Sequence, residues 1–179
     1  DIGFPSNTSY FMPDNYYRFR STTNSTVAQL NTTFSNAVNE LRVTYSTIED
    51  RRGGQDFEPR PFPFVSVTVA SGLTVRAGRE NFSTANELDQ DVLEINNDYT
   101  WLRGRHTLTI GTHNEFFSFR NLFIRDNFGN YSFSSLANFA AGVAQGFDYS
   151  FSRTSNPQQA STFAVRQLGF YAGDQWRAR

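Results

Sequence analysis

The stretch Asp91-Val92-Leu93-Glu94-Ile95-Asn96-Asn97-Asp98-Tyr99-Thr100-Trp101-Leu102-Arg103-Gly104-Arg105-His106-Thr107-Leu108-Thr109-Ile110 decides the fold. Side chains of an extended strand point alternately to its two sides. Leu93, Ile95, Asn97, Tyr99 and Trp101 therefore share one face, and Val92, Glu94, Asn96, Asp98 and Thr100 the other. Arg103-Gly104-Arg105 supplies a turn, with a glycine free to take a positive φ. Leu108, Ile110 and Phe116 then alternate with Thr107, Thr109, His113 and Glu115. Two period-two runs around a tight turn predict a hairpin of long, two-faced strands.

The same pattern extends in both directions. Ala28, Leu30, Thr32 and Phe34 alternate with Val27, Gln29, Asn31 and Thr33; Ser35-Asn36-Ala37 reverses the chain; Asn39, Leu41, Val43 and Tyr45 then alternate with Glu40, Arg42, Thr44 and Ser46. A last strand places Leu168, Phe170, Ala172 and Trp176 opposite Gln167, Tyr171, Gln175 and Arg177. Between these elements lie two long loops, at about 50–86 and 121–162. The first is punctuated by Arg51-Arg52-Gly53-Gly54 and by Pro59, Pro61 and Pro63, with short strands expected at 65–69 and 73–75. The second holds Asp126-Asn127-Phe128-Gly129-Asn130 and one short helical pattern, Leu136, Phe139, Ala140 and Val143, limited by Gly142 and Gly146. The expectation is an all-β chain: an antiparallel meander of about five long strands with two tight turns, two long loops and one short loop helix.

Alternation alone does not separate a lipid-facing sheet from a secreted β-sandwich, because both bury every second side chain. Three features favour the membrane. The periodic runs exceed the roughly 5 to 6 residues usual in soluble strands and reach the roughly 9 to 11 that a tilted membrane strand needs. Both tight turns fall on one side of the sheet and both long loops on the other, as in bacterial barrels with periplasmic turns and extracellular loops. The only tryptophans, Trp101 and Trp176, sit with Tyr99 at the turn end, where an aromatic ring can lie in the lipid boundary with its polar tip near water. A mean hydropathy of -0.52 and the lack of an 18-residue apolar run accord with a barrel, whose strands mix polar and apolar residues. No basic, apolar leader opens the chain, which suggests a processed protein or an internal stretch.

Composition narrows the chemistry. Arginine supplies all 16 basic residues, spread without a run, and the formal net charge is -1, so nucleic acid is not an expected partner. There is no cysteine and there are two histidines, which removes disulfide scaffolds, thiolate metal sites and imidazole clusters; no cofactor is expected. The 19 Phe and 8 Tyr among many Ser, Thr and Asn favour strands. His106 and His113 lack the partners of a catalytic constellation, and the chain reads as a non-enzyme. Glu49-Asp50 and the Asp89, Asp91 pair read as solvated strand ends, Asp126 to Asn130 lacks calcium-loop spacing, and the Asn-x-Ser/Thr matches at Asn7, Asn24, Asn31, Asn81 and Asn130 read as products of composition.

Several stretches resemble barrel segments of TonB-dependent transporters, and most closely their Oar-like group. They are Asn31-Thr32-Thr33-Phe34, Asn39-Glu40-Leu41-Arg42, Arg51-Arg52-Gly53-Gly54, the run from Tyr99 to Leu108, Phe119-Arg120-Asn121-Leu122-Phe123-Ile124-Arg125-Asp126-Asn127-Phe128-Gly129, and the ending from Gln167 to Arg177. The resemblance implies a barrel of about 22 strands closed by an amino-terminal plug, with uptake energised through the TonB-ExbB-ExbD complex. On this reading residues 1–179 are part of the barrel, the plug and remaining strands lying outside them. The implied partners are outer-membrane lipid, the plug of the same protein, that complex and an unidentified ligand.

Site expectations follow from the two faces and the loops. Arg42, Glu94, Asn96 and Asp98 are expected on the lumen face, and Tyr99, Trp101 and Trp176 at the membrane interface. Arg120, Phe123, Arg125, Asp126, Phe128, Tyr131, Asp148 and Tyr149 are the ligand candidates of the second long loop, where aromatic and charged groups can stack and hydrogen-bond. A surface-binding or adhesion barrel without transport, and a secreted all-β binding module, are the competing functions. Ile95→Arg is expected to impair insertion into bilayers much more than Asn96→Arg, because charge on the lipid face is costly near the midplane. Equal folding yields of the two variants in lipid vesicles would reverse or remove the face assignment.

Overall fold

A computed structural model describes residues 8–54, 62–70 and 72–178. In chain order its elements are β1 (Ser9–Phe11), β2 (Tyr17–Thr33), β3 (Ala37–Gly54), β4 (Phe64–Ala70), β5 (Leu73–Ala77), β6 (Asn86–Arg103), β7 (His106–Phe123), β8 (Asn130–Phe133), α1 (Leu136–Ala140), β9 (Gly146–Asp148) and β10 (Ser161–Trp176). The long strands form one sheet, β10-β7-β6-β3-β2, and the short ones a second, β1-β5-β4-β8-β9. Residues 22–48, 89–120 and 162–178 make up one compact unit; the described parts of 8–21, 49–88 and 121–161 make up the other.

The long-strand unit is the expected meander: each long strand lies beside the next one in sequence. Its strands run to 18 residues in β3, β6 and β7. The β2–β3 turn closes where Phe34 N–H donates to the Ala37 carbonyl at 2.8 Å. At the β6–β7 turn Gly104 has φ 61 and Arg105 does not share the positive φ, the pattern of a type II′ turn, whose twist matches that of its strands. Both tight turns lie at one end of the sheet, and the 54-to-86 and 123-to-161 connections leave from the other.

Cross-strand side-chain bonds fix which residues share a face. On one face Asn39 and Asn97, in the adjacent strands β3 and β6, bond reciprocally: each side-chain N–H donates to the other's oxygen at 3.1 Å. By alternation this face also carries Leu41, Val43, Tyr45, Leu93, Ile95, Tyr99, Trp101, Leu108, Ile110, Leu168, Phe170 and Trp176. The opposite face is polar: Ser25 and Ser46 are 2.9 Å apart, Thr100 and Thr109 3.3 Å, and the Arg42 guanidinium donates to Gln29 Oε1. Gly111 on β7 lies on this polar face. A Cβ there would collide with both the Tyr171 ring and the Asp98 carboxylate, so the missing side chain lets Tyr171 O–H reach across β7 and donate to Asp98 on β6.

This unit has almost no interior of its own. Among the described residues the buried apolar side chains are Ala37, Phe64, Val65, Val67, Ala85, Leu122 and Phe133, and Ala37 alone of these belongs to it. Leu30 is 60%, Ile110 64% and Phe170 81% exposed. A row of bare apolar side chains of this extent in water would aggregate; it requires an apolar medium or partner.

The second unit has a small apolar core of its own. Val65, Val67 and Phe133 form its core, with Val69 and Tyr131 against it. Its sheet is mixed: β4 pairs antiparallel with β5 and β8 with β9, whereas β1–β5 and β4–β8 are parallel. The expected strands at 65–69 and 73–75 are β4 and β5, while β1, β8 and β9 add to the reading from sequence. Residues of both long connections thus share one sheet. The helix forms as expected, with Ser135 Oγ accepting from Asn138 N–H at 3.1 Å as its N-cap and the Phe133 and Phe139 rings meeting edge to face.

Two boundaries differ from the sequence reading. β3 continues through Arg51-Arg52-Gly53-Gly54, where cross-strand contacts compensate the weak strand formers: Arg51 lies 4.0 Å from Glu87, and Arg52 stacks over the Tyr17 ring at 4.1 Å. β7 continues to Phe123, with Leu122 fully buried, and Ile124 N–H still donates to the Ala85 carbonyl at 2.9 Å. Pro59 and Pro61 lie outside the described residues.

The amide pair yields a test. Asn97→Leu leaves Asn39 without its partner and should lower stability in bilayers by about 1–2 kcal/mol, whereas Asn39→Leu with Asn97→Leu should recover most of that loss, since neither polar group then remains. Denaturant unfolding from lipid vesicles reads the difference; strictly additive losses would show that the pair is not coupled.

Candidate functional site

Three groups of residues carry the chemistry. The first is the polar face of the long-strand unit. Asn96 side-chain N–H donates to Glu94, and His113 Nδ1 is hydrogen-bonded to the Asn96 side-chain oxygen. His113 also lies 3.9 Å from Glu94 and 3.7 Å from Glu115. Asp98 takes the Tyr171 hydroxyl, and Arg42 spans Glu40, at 3.2 Å, and Gln29. The four residues expected to share a face do share it. Sequence reasoning had placed His113, Gln29 and Tyr171 among the polar strand positions without assigning them a role, and it is register that brings them to these partners.

The second group is the turn end of the opposite face. Tyr99 and Trp101 stand there on β6 with the Arg103 guanidinium 5.2 Å from the Trp101 ring. On β7 and β10, His106 stacks on Trp176 with ring centroids 6.2 Å apart, and His106 Nδ1 lies 2.7 Å from Asp174 Oδ2. Aromatic bodies are thus interleaved with groups that hydrogen-bond, as a boundary between apolar and aqueous media requires. Along this face the stretches from Leu93 to Trp101, Leu108 to Phe116 and Leu168 to Trp176 are free of charge except at Asp174, and each has a length within the roughly 9 to 11 residues of a tilted membrane strand.

The third group is the loop unit's surface. Tyr131 and Phe147 meet with ring centroids 4.5 Å apart, Phe147 and Tyr149 follow at 6.3 Å, and Tyr149 and Phe151 at 5.7 Å. Phe147, Tyr149 and Phe151 are each more than half exposed. The rings recur at every second residue because this segment is extended, so they project from one side as a row, with Asp148 and Ser150 on the other. Phe147 and Phe151 were not singled out in the sequence; their alternation with Tyr149 was the available signal.

Not all the loop candidates are placed to meet a ligand. Arg120 and Phe123 belong to β7 rather than to the loop, and Arg120 lies 3.0 Å from Asp89. Asp126 is 4% exposed and has a role within the loop unit. Its carboxylate accepts from Asn81 Nδ2 at 2.9 Å and lies 2.8 Å from Arg125 Nε. Its backbone accepts from Gly129 and Ser150 and donates to the Asn81 carbonyl, all with φ 55, which Asp tolerates better than most residues. Arg125 also faces the Phe82 ring, and Phe128 lies beneath Arg79. Of the remaining candidates Tyr149 stands in the exposed row, Tyr131 is half-buried between that row and the core, and Asp148 is exposed on the opposite side of the segment.

A sheet of long strands, apolar on one face over a membrane's thickness and polar on the other, with aromatic residues at its turn end, is the wall of a transmembrane β-barrel. The family described as the outer membrane beta barrel domain matches residues 4–179, and the chain belongs to that family. It is accordingly a protein of the bacterial outer membrane in contact with membrane lipid, and its long connections are the extracellular loops. No curated protein and no solved structure matches the chain.

Asp126 gives the prediction for this region. Asp126→Val removes the bond to Asn81 and imposes a β-branched residue at positive φ, so it should make the second loop cleavable by protease on intact cells; Asp126→Asn, which tolerates that φ and keeps an acceptor, should retain most of the protection. Protection unchanged in Asp126→Val would deny Asp126 its anchoring role.

Proposed function

We propose that this chain is part of the barrel of a TonB-dependent transporter of the Oar-like group, which captures a ligand at its extracellular loops and imports it through the lumen. The observation that carries the reading is the exposed row Phe147, Tyr149 and Phe151, which continues from the half-buried Tyr131 of a sheet to which both long loops contribute. A rigid row of rings offers contact area with little conformational entropy left to lose on binding. Arg42, Glu94, Asn96 and Asp98 face the lumen, where they meet water and the plug of the same protein. Movement of that plug, energised by the TonB-ExbB-ExbD complex, completes uptake, and no covalent chemistry is involved.

The test uses the source bacterium. Deletion of the gene should abolish growth on one member of a panel of chelated iron sources, glycans and peptides supplied as sole nutrient. Loss of the energising complex should reproduce that defect, and Tyr149→Ala with Phe151→Ala should weaken it into a higher concentration requirement. A deletion strain that grows normally on every nutrient but no longer adheres to surfaces would replace transport with adhesion.

A further inference from the structure

The segment that bears the exposed rings is also an outer edge of the loop sheet. β9 ends the order β1-β5-β4-β8-β9, and it pairs there with β8 through Asn130↔Asp148, Tyr131↔Phe147 and Ser132↔Gly146. Backbone groups of successive residues in such a chain point alternately toward the neighbour and away from it. Three contacts fix the phase. Ser150 N–H donates to the Asp126 carbonyl at 3.3 Å, the Ser150 carbonyl accepts from Asn127 Nδ2 at 3.4 Å, and the Gly146 carbonyl accepts from Ser132 Oγ at 3.5 Å. The backbone groups of Gly146, Asp148 and Ser150 therefore face inward. Those of Phe147, Tyr149 and Phe151 face the open edge, where no hydrogen bond joins them to another described residue. The ring contact of Tyr131 with Phe147 at 4.5 Å agrees, since side chains lie closest in a pair that exchanges no ladder bonds. Edges that stay single are ordinarily guarded by proline or lysine. Residues Gly146 to Phe151 include neither and carry one charge, Asp148, exposed on the face opposite the rings. Neither Arg125, held by Asp126, nor Arg153 pairs with it, and it has no ion pair to another described residue.

We infer that this edge binds an extended peptide by strand addition. The peptide runs antiparallel to 147–151, with an apolar residue at every second position packed on the rings and a lysine or arginine between them, opposite Asp148. The inference rests on the reading of the ring row as the ligand site and gives that ligand its class. Main-chain bonds to Phe147, Tyr149 and Phe151 supply affinity, while the rings on one face and Asp148 on the other select sequence. Tyr131 already packs on one flank of Phe147 in the way that an apolar side chain of the added strand packs on the other. Charge decides between occupants. A second copy added antiparallel about Tyr149 brings two Asp148 carboxylates onto one face of the joined sheet, at a diagonal of roughly 7 to 8 Å, whereas a basic residue of a peptide meets its opposite there.

The test uses the protein as expressed from its own gene, purified from outer membranes in detergent, and the end-blocked peptide Thr-Val-Thr-Val-Lys-Val-Thr carrying a fluorophore. Binding is read by fluorescence anisotropy, and hydrogen exchange is read at single residues by mass spectrometry. The peptide should bind and slow exchange at the Phe147, Tyr149 and Phe151 amides while leaving that of Ser150, already bonded, unchanged. N-methylation of the three valines, whose amides face the edge, should weaken binding about tenfold. Glutamate in place of the lysine should weaken it about fivefold, and Asp148→Lys should invert that preference. Absence of binding, equal binding of the methylated peptide, or a lysine preference that survives Asp148→Lys overturns the inference. Edge amides protected without peptide, with protection lost on dilution, give the edge to a second copy and overturn it as well. Failure of the transport reading looks different. A deletion strain with no nutrient defect, beside peptide binding with the dependences above, removes import and leaves the peptide site; a strain unable to grow on a glycan, beside no binding of peptide, removes the peptide site and leaves import.

Discussion

In hydrocarbon no water is available to a backbone N–H or C=O, and each such group left unpaired costs several kcal/mol, so a chain that crosses a bilayer must close its hydrogen bonds with itself. Everything regular about this protein answers to that constraint. Between the five long strands neighbour-to-neighbour pairing satisfies it, leaving the outer edges of β10 and β2 to pair outside this sheet, and the turns satisfy it with the fewest residues: one bond from Phe34 to Ala37, and a two-residue turn whose geometry Gly104 permits. Most side-chain polar groups inside the band follow the same rule, Asn114 Oδ1 being buried without a partner among the described residues. Asn39 and Asn97 answer each other, and Thr112, on the same face, donates to the Gly169 carbonyl at 2.9 Å while accepting from Asn114.

The constraint also explains why the two units are built so differently. The long-strand unit needs no second layer, because one of its faces has lipid as solvent and the other has charge, amide and hydroxyl groups that bond among themselves. The loop unit stands in water, where an apolar residue must find another to pack on. It has the small core of Val65, Val67 and Phe133, a mixed sheet of short strands and the buried Asn81–Asp126 tie between its two loop segments. Many of its rings stay exposed, and the row Phe147, Tyr149 and Phe151 is where recognition is proposed.

The long strands were legible in the sequence because their determinant is local: period two is visible within a single run, and 91–110 displays it on both sides of a turn. The loop sheet was legible only where it is locally apolar, at β4 and β5. Strands of three or four residues such as β1, β8 and β9 exist through partners far along the chain, Ser9 with Thr74 or Phe64 with Asn130, and nothing in the strand itself announces the pairing. The same holds for Asn81 and Asp126. One read as a chance Asn-x-Ser/Thr match and the other as a ligand candidate, yet each is explained by the other across 45 positions. Arg51 to Gly54 read as breakers for the converse reason: propensity is weak where Glu87 and Tyr17 hold the arginines in register. The faces of Arg42, Glu94, Asn96 and Asp98 followed from alternation, whereas their partners His113 and Tyr171 required the register of β7 and β10.

The central claim is that one face of β6 meets lipid and the other a watery lumen. Single nitroxide labels placed in turn at positions 92 to 101 of the protein, reconstituted in lipid vesicles, test it most directly through collision rates with oxygen and with a nickel chelate. The account predicts a strict alternation, with oxygen dominant at 93, 95, 97, 99 and 101 and the chelate dominant at 92, 94, 96, 98 and 100. Collision rates that do not alternate, or that alternate with the opposite phase, would contradict it.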